Sequence, residues 1–307
     1  MKIRNQYFYR ILPFIMKLLT TLLLSSLSFS IMAQASFDIE GHRGCRGLYP
    51  ENTIPAFINA VKLGVTTLEM DVVVSKDGAL VISHDPFMND VICSNPDGSP
   101  VTADQEAKLK IYNLTYEEIK KYDCGMRLNP KFPDQAKIPV YKPLLSDVID
   151  TVEKYVAEHN LPPVHYNIET KSTVKGDDVD HPAPAPFTNM LWYIIQTKGV
   201  KERCILQSFD VRTLQHMHRI DSSVVTALLV GNMDGLDKNI KALGFIPTIY
   251  SPNYLLVNKK LIAKCHSMGM KILPWTVNDE KKMKALKKAG VDGIISDYPD
   301  RLIKVVR

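Results

Sequence analysis

The chain has 307 residues, 45% hydrophobic and 23% charged, with a formal net charge of +5, an ordinary composition for a soluble globular protein. Four of the 38 basic residues, Lys2, Arg4, Arg10 and Lys17, fall within residues 1–35, which hold no acidic residue. Without that stretch, 34 basic residues face 33 acidic ones, and a net charge of +1 gives no support for nucleic-acid binding.

The basic N-terminus leads into an apolar run from Leu18 to Met32 and then Ala33-Gln34-Ala35. A basic segment, a short apolar segment and a small-x-small site form the pattern of a cleaved secretory signal peptide over residues 1–35. The run is shorter than the roughly 20 residues that span a bilayer. An uncleaved anchor is the alternative, because "ILPFIM" extends the apolar stretch upstream. Export to the periplasm or the medium, with no stable membrane span after cleavage, is the expectation. Residues 36–307 then form one domain. Export also permits disulfides. Of the five cysteines, Cys93 and Cys124 share one irregular segment and are the expected pair. No Cys-x-x-Cys or Cys/His cluster suggests a thiolate zinc site.

Candidate strands follow in order: "DIEGHR", "TLEMDVVV", "ALVISHD", "VHYNIETK", "CILQSFD", "VVTALLV", "PTIYSP", "KILPWTV" and "DGIISD". Helix-like stretches closed by Gly64, Gly199, Gly244, Gly269 and Gly290 each precede an apolar run, the pattern of αβ connections in a parallel sheet. Nine strands are one too many for a (β/α)₈ barrel. The second and third, however, are separated only by "SKDG", a hairpin signal that leaves no room for a crossover helix. The third becomes the return arm of a hairpin, and eight strands remain for a TIM barrel. A long insertion follows over residues 86–143, rich in Pro, Asp and Asn. A second loop, residues 172–186, follows the next barrel strand. Both leave the face where barrel active sites lie, so each is either a cover for the substrate or a surface decoration.

In "TLEMDVVV", Leu68, Met70, Val72 and Val74 share one face, and Glu69 and Asp71 lie on the other, two residues apart. Like charges so close need a partner. Glu169 ends the third barrel strand, with Lys171 on the same face. Three carboxylates converging on one rim suit a hard divalent cation, Mg²⁺ or Ca²⁺; solvated strand-end charges are the simpler alternative. His42 at the end of the first strand and His84 on the hairpin reach the same rim, as an acid and base or as structural histidines. Arg43 and Lys171 add positive charge suited to a phosphate.

The ordered set "HRG", "PENT", "EMDV", "KDG", "HD" and "NIETK" closely resembles the glycerophosphodiester phosphodiesterase family. The similarity continues through "YNLTYEEIKKYDCG", Ser208-Phe209, "PWTVND" and "GIISDYPDRL", nearly the whole chain after residue 35. The resemblance implies a metal-dependent barrel hydrolysing a small-molecule glycerophosphodiester to sn-glycerol 3-phosphate and an alcohol. It implies Glu69, Asp71 and Glu169 as metal ligands, His42 and His84 as the acid/base pair, and Arg43 and Lys171 as phosphate contacts. Trp275 matches a substrate wall, or simply packs. Asn52 reads as a helix N-cap, and Asp297 as a residue that holds the site together. Cys45 departs from the family pattern and would place a thiol near the phosphate. "YKPLLSDVI" replaces the usual helix start after the insertion. Export favours Ca²⁺, the ion more available outside the cytoplasm. Rival readings are a lysophospholipase D or a phosphatidylinositol-phospholipase type on the same barrel, and, remotely, an inactive barrel that binds phosphodiesters or cations. A lysophospholipid would need an apolar channel from the insertion, which reads as mostly polar.

Overall fold

The computed structural model describes residues 37–307, so the expected leader over residues 1–35 lies outside the described residues. Eight parallel strands form the barrel. They are β1 (Asp38–Gly41), β2 (Thr67–Val74), β4 (His165–Thr170), β5 (Cys204–Ser208), β6 (Val225–Val230), β7 (Ile249–Pro252), β8 (Lys271–Ile272) and β9 (Gly293–Ser296). The ladder runs β8-β7-β6-β5-β4-β2-β1-β9. Beyond the short β8, backbone bonds from Asp292 N to Ile272 O, Ile295 N to Pro274 O and Val277 N to Ile295 O bring the two ends together.

β3 (Leu80–Ile82) is the antiparallel return arm expected after "SKDG", pairing Val72 with Ile82 and Val74 with Leu80. Seven helices pack outside the barrel: α1 (Ile54–Leu63), α4 (Leu145–Glu158), α5 (Pro184–Thr197), α6 (Val211–Ile220), α7 (Leu236–Leu243), α8 (Lys259–Ser267) and α9 (Glu280–Ala289), with α10 (Pro299–Val306) ending the chain. The glycine expected to stop α1 does so: Gly64 adopts φ +91 and its N–H returns to Ala60 and Val61. The period-2 reading of β2 also holds. Leu68, Met70, Val72 and Val74 join the core beneath the helices, while Glu69 and Asp71 turn into the barrel. Ile205, Ala227, Ile249 and Leu273 form an apolar layer at its floor.

The insertion is less polar than its composition suggests. Its one-turn helices α2 (Ala103–Glu106) and α3 (Tyr116–Ile119) and a Cys93–Cys124 disulfide close over a second core containing Met88, Val101, Ile111 and Ile119. Val73 and Val81 of the hairpin share that core. The segment leaves the barrel just after β3 and returns beside it, where Ile82 N donates to Pro143 O and Val81 bridges to Leu144. The 172–186 loop takes another course. Arg212 grips Asp177 through both terminal nitrogens (2.6 and 3.0 Å), and Thr173 N donates to His181 Nε2 (2.9 Å). None of its residues lines the clefts described below.

Candidate active site

Register places the carboxylates. In the β2–β4 ladder Asp71 stands opposite Glu169 and Glu69 opposite Asn167, all on the inward face. One oxygen each from Glu69, Asp71 and Glu169 lies within 4.8 Å of the others, and all three residues are buried. Burial and the neighbouring Asp71 charge push the Glu69 carboxyl well above the usual range. Burial, outweighing Lys171, also raises Glu169. Asp71 goes the other way: burial would raise it, but Lys171, Arg43, His84 and the Asn52 amide hold it well below. Lys171 Nζ lies 2.7 Å from Glu169 and 3.5 Å from Asp71, one ammonium against three acids. Hard oxygen donors, close enough to share one ion and short of positive charge, fit a divalent cation.

His42 and His84 each present Nδ1 to an aspartate. His42 Nδ1 lies 2.6 Å from Asp297 Oδ1, and His84 Nδ1 lies 2.8 Å from Asp85 Oδ1. Both carboxyls are held at about 2, where the paired histidine's attraction outweighs burial. An ionised carboxylate only accepts, so each Nδ1 carries the hydrogen and each Nε2 is left with a free lone pair. His42 Nε2 points toward Glu69, 3.9 Å from Oε2. Burial lowers the His42 pKa despite the opposing pull of Asp297.

Arg43, two residues past β1, takes left-handed backbone geometry (φ 50), and its N–H donates to Glu69 Oε2 (2.8 Å). Its guanidinium bonds Glu51 (2.6 Å) and lies 3.2 Å from Asp71. Arg46 approaches Glu51 as well, at 2.9 Å. Trp275 packs against its neighbours and also lines a cavity. Its Nε1 donates to Ser251 O, its ring meets Phe209 edge-on at 5.3 Å, and it walls a cavity of about 150 Å³ containing His42, Glu69, Glu169 and Lys171. A second cavity of about 430 Å³ shares Arg43, Arg46 and His84 with it and is closed by the insertion.

Two expectations need correction. Thr53, not Asn52, caps α1. Asn52, at φ 57, donates Nδ2 to Asp71 Oδ2 (2.8 Å) and accepts from Asp71 N, so it clamps a carboxylate of the cluster. Cys45 presents no thiol to a phosphate: it is fully buried, donates to Ala56 O and is pushed up to about 12 by burial. The departure at "YKPLL" buries Lys142, whose Nζ donates to Ser83 Oγ directly before His84.

Sequence reading also missed a polar chain under the carboxylates. Gln207 Nε2 donates to Glu69 Oε1 (2.7 Å), and Asn167 Nδ2 bonds both Gln207 Oε1 (3.2 Å) and Glu40 Oε2 (2.7 Å). The signal was present, since Glu40, Asn167 and Gln207 fall on the inward parity of their strands.

The chain as a whole is similar to known proteins. The model of the "Glycerophosphoryl diester phosphodiesterase family" matches residues 42–301. A glycerophosphodiester phosphodiesterase of Caldanaerobacter subterraneus is 31% identical over 266 residues, covering 87% of this chain and 96% of that protein. A crystal structure of a protein from Silicibacter pomeroyi, described as a putative glycerophosphoryl diester phosphodiesterase, superposes with a TM-score of 0.78 at 27% identity, covering 89% and 94% of the two chains. An Oleispira antarctica phosphodiesterase, solved with the product sn-glycerol-3-phosphate, shares the fold with a TM-score of 0.69 at 20% identity over 88% of this chain and 96% of that one. With the family pattern matched across the barrel and a relative aligned almost end to end, this chain belongs to the glycerophosphoryl diester phosphodiesterase family.

Proposed function

We propose that the protein hydrolyses glycerophosphodiesters to sn-glycerol 3-phosphate and an alcohol, using His42 as base, His84 as acid, and Glu69, Asp71 and Glu169 to hold one divalent cation. The observation that carries this reading is the cluster of three buried carboxylates beside two histidines whose Nδ1 atoms are fixed by aspartates. The smaller cavity, with its carboxylates and its Trp275 and Phe209 wall, suits the glycerol phosphate half. Arg43 and Lys171 face the phosphate oxygens.

When bound, the cation lowers the pKa of the glycerol hydroxyl and offsets charge on the phosphate oxygens. His42 Nε2, on the Glu69 side, accepts the proton of the attacking glycerol hydroxyl, and Asp297 stabilises the imidazolium that forms. His84, at the junction of the two cavities, gives a proton to the departing alcohol oxygen as the phosphorus–oxygen bond breaks. The glycerol oxygen bonds to phosphorus in that step and leaves a cyclic phosphate, which water then opens by attacking phosphorus and breaking that same bond. His84 takes the proton of the water, and His42 returns its own to the glycerol oxygen.

Trp275 contributes shape rather than chemistry. Ca²⁺ is the ion an exported enzyme meets, and Mg²⁺ satisfies the same donors. Export itself rests on the N-terminal pattern; among the described residues, no helix is long and apolar enough to cross a membrane.

The test is glycerol 3-phosphate release from glycerophosphocholine and other glycerophosphodiesters after EDTA treatment, then with Ca²⁺ or Mg²⁺ restored, beside Glu69→Ala. Activity lost with EDTA, restored by one ion and absent in Glu69→Ala supports the reading. Activity indifferent to both EDTA and Glu69→Ala would remove the metal from it.

A further inference from the structure

The larger cavity has a chemistry of its own. If the glycerol phosphate half occupies the smaller one, as proposed above, the departing alcohol extends across His84 into the space of about 430 Å³ closed by the insertion. No Phe, Tyr or Trp lines that space, so a quaternary ammonium would find no cage of large aromatic faces to sit in.

Its two carboxylates are already engaged. Glu51 is held by Arg43 (2.6 Å) and Arg46 (2.9 Å), and Asp85 by His84 (2.8 Å) and the Asn89 amide (2.8 Å). Lys131 at the rim has no acidic partner among the described residues, so the lining carries a surplus of positive charge. Asn129 is buried, accepts from Lys131 N through Oδ1 (3.1 Å), and has no partner for its amide nitrogen among the described residues. Its apolar side chains are Val91, Ile92 and Pro130, set among eight polar or charged residues.

We infer that this cavity is the leaving-alcohol subsite and that it selects hydroxyl-rich, non-cationic head groups, of the glycerol or inositol kind, over choline and ethanolamine, with Asn129 and Lys131 setting the preference. The inference rests on the phosphodiesterase reading and goes beyond it. A head group dense in hydroxyls can accept from Asn129, Lys131 and Arg46, whereas a cation meets like charge and engaged acids.

The experiment compares kcat/KM for glycerol 3-phosphate release by the cation-loaded full chain. Its substrates are glycerophosphoinositol, glycerophosphoglycerol, glycerophosphocholine and glycerophosphoethanolamine. The polyol substrates should lead by about tenfold or more. Lys131→Glu, a change at an exposed side chain that leaves folding intact, and Asn129→Leu should each narrow that ratio. Equal or faster turnover of the choline substrate would overturn the inference, as would a polyol preference that neither variant moves. Release from all four without preference overturns the inference alone. Release from none overturns the phosphodiesterase reading and the inference with it.

Discussion

His42 and Asp297 are 255 residues apart in sequence and 2.6 Å apart in space, the imidazole Nδ1–H donating to Oδ1. The contact spans the seam between β1 and β9, the first and last strands, so closing the barrel is also what sets the tautomer of His42. Asp297→Asn keeps the shape but offers a donor where an acceptor is needed. We expect kcat to fall about 10²- to 10⁴-fold with little change in KM. Asp297→Glu should recover part of the loss if the role is orientation, and a variant that loses affinity instead would point to a substrate contact.

The same aspartate reports on acid stability. Burial would raise its pKa, but protonated His42 outweighs that and holds it at about 2. A carboxyl depressed in the folded state contributes stability present above about pH 4 and lost as the pH falls through about 2. The contribution is about 2 kcal/mol. In urea unfolding of the cation-free protein, Asp297→Asn should lie below wild type near pH 5 and converge on it toward pH 2. Curves that stay parallel across this window would contradict the assignment.

Cation binding should release protons. Glu69 and Glu169 sit above the ordinary carboxylate range without an ion, and a bound cation requires them ionised. Calorimetric titration of EDTA-stripped protein near pH 6, in two buffers of different ionisation enthalpy, should give different apparent heats, and affinity should weaken as the pH is lowered. Identical heats would mean the carboxyls were already charged.

Gln207→Ala should weaken cation binding about 10- to 100-fold, because the amide that orients Glu69 Oε1 from across the barrel is gone. Gln207→Glu, which places a fourth acid in the cluster, should shift the affinity and its pH dependence together. A cation affinity unchanged in both variants would reduce the Gln207 contact to packing.

Replacing Cys93 and Cys124 by serine should cost about 2–4 kcal/mol, localised in the insertion. Limited proteolysis should then cut within 86–143 before the barrel, and rates on polyol substrates should fall more than those on glycerophosphocholine. Uniform loss of the whole fold would mean the insertion and the barrel are one cooperative unit.

The barrel was readable because β2 states its own two faces, with Leu68, Met70 and Val72 against Glu69 and Asp71, and because "SKDG" allows only a hairpin. The clustering of Glu69, Asp71 and Glu169 was readable for the same reason: parity fixes which side chains turn inward. Asn52 was misread because a left-handed backbone and an ordinary cap share the same residue type, and only the fold shows that Thr53 does the capping. Gln207 and Glu51 were passed over because a partner's identity lies in tertiary proximity: neither Glu69, 138 residues before Gln207, nor Arg43 advertises the contact locally. The second core of the insertion was hidden by Pro and Asp between its scattered apolar residues.

The insertion departs from the barrel and rejoins it at one point, beside β3. The carboxylate cluster sits on strand ends that this segment merely abuts, whereas six of the eleven residues around the larger cavity belong to the segment. Replacing a single stretch of chain could therefore rewrite which compounds the enzyme consumes while its cutting apparatus stayed as inherited. Diversification would proceed as an exchange of cassettes at a fixed doorway.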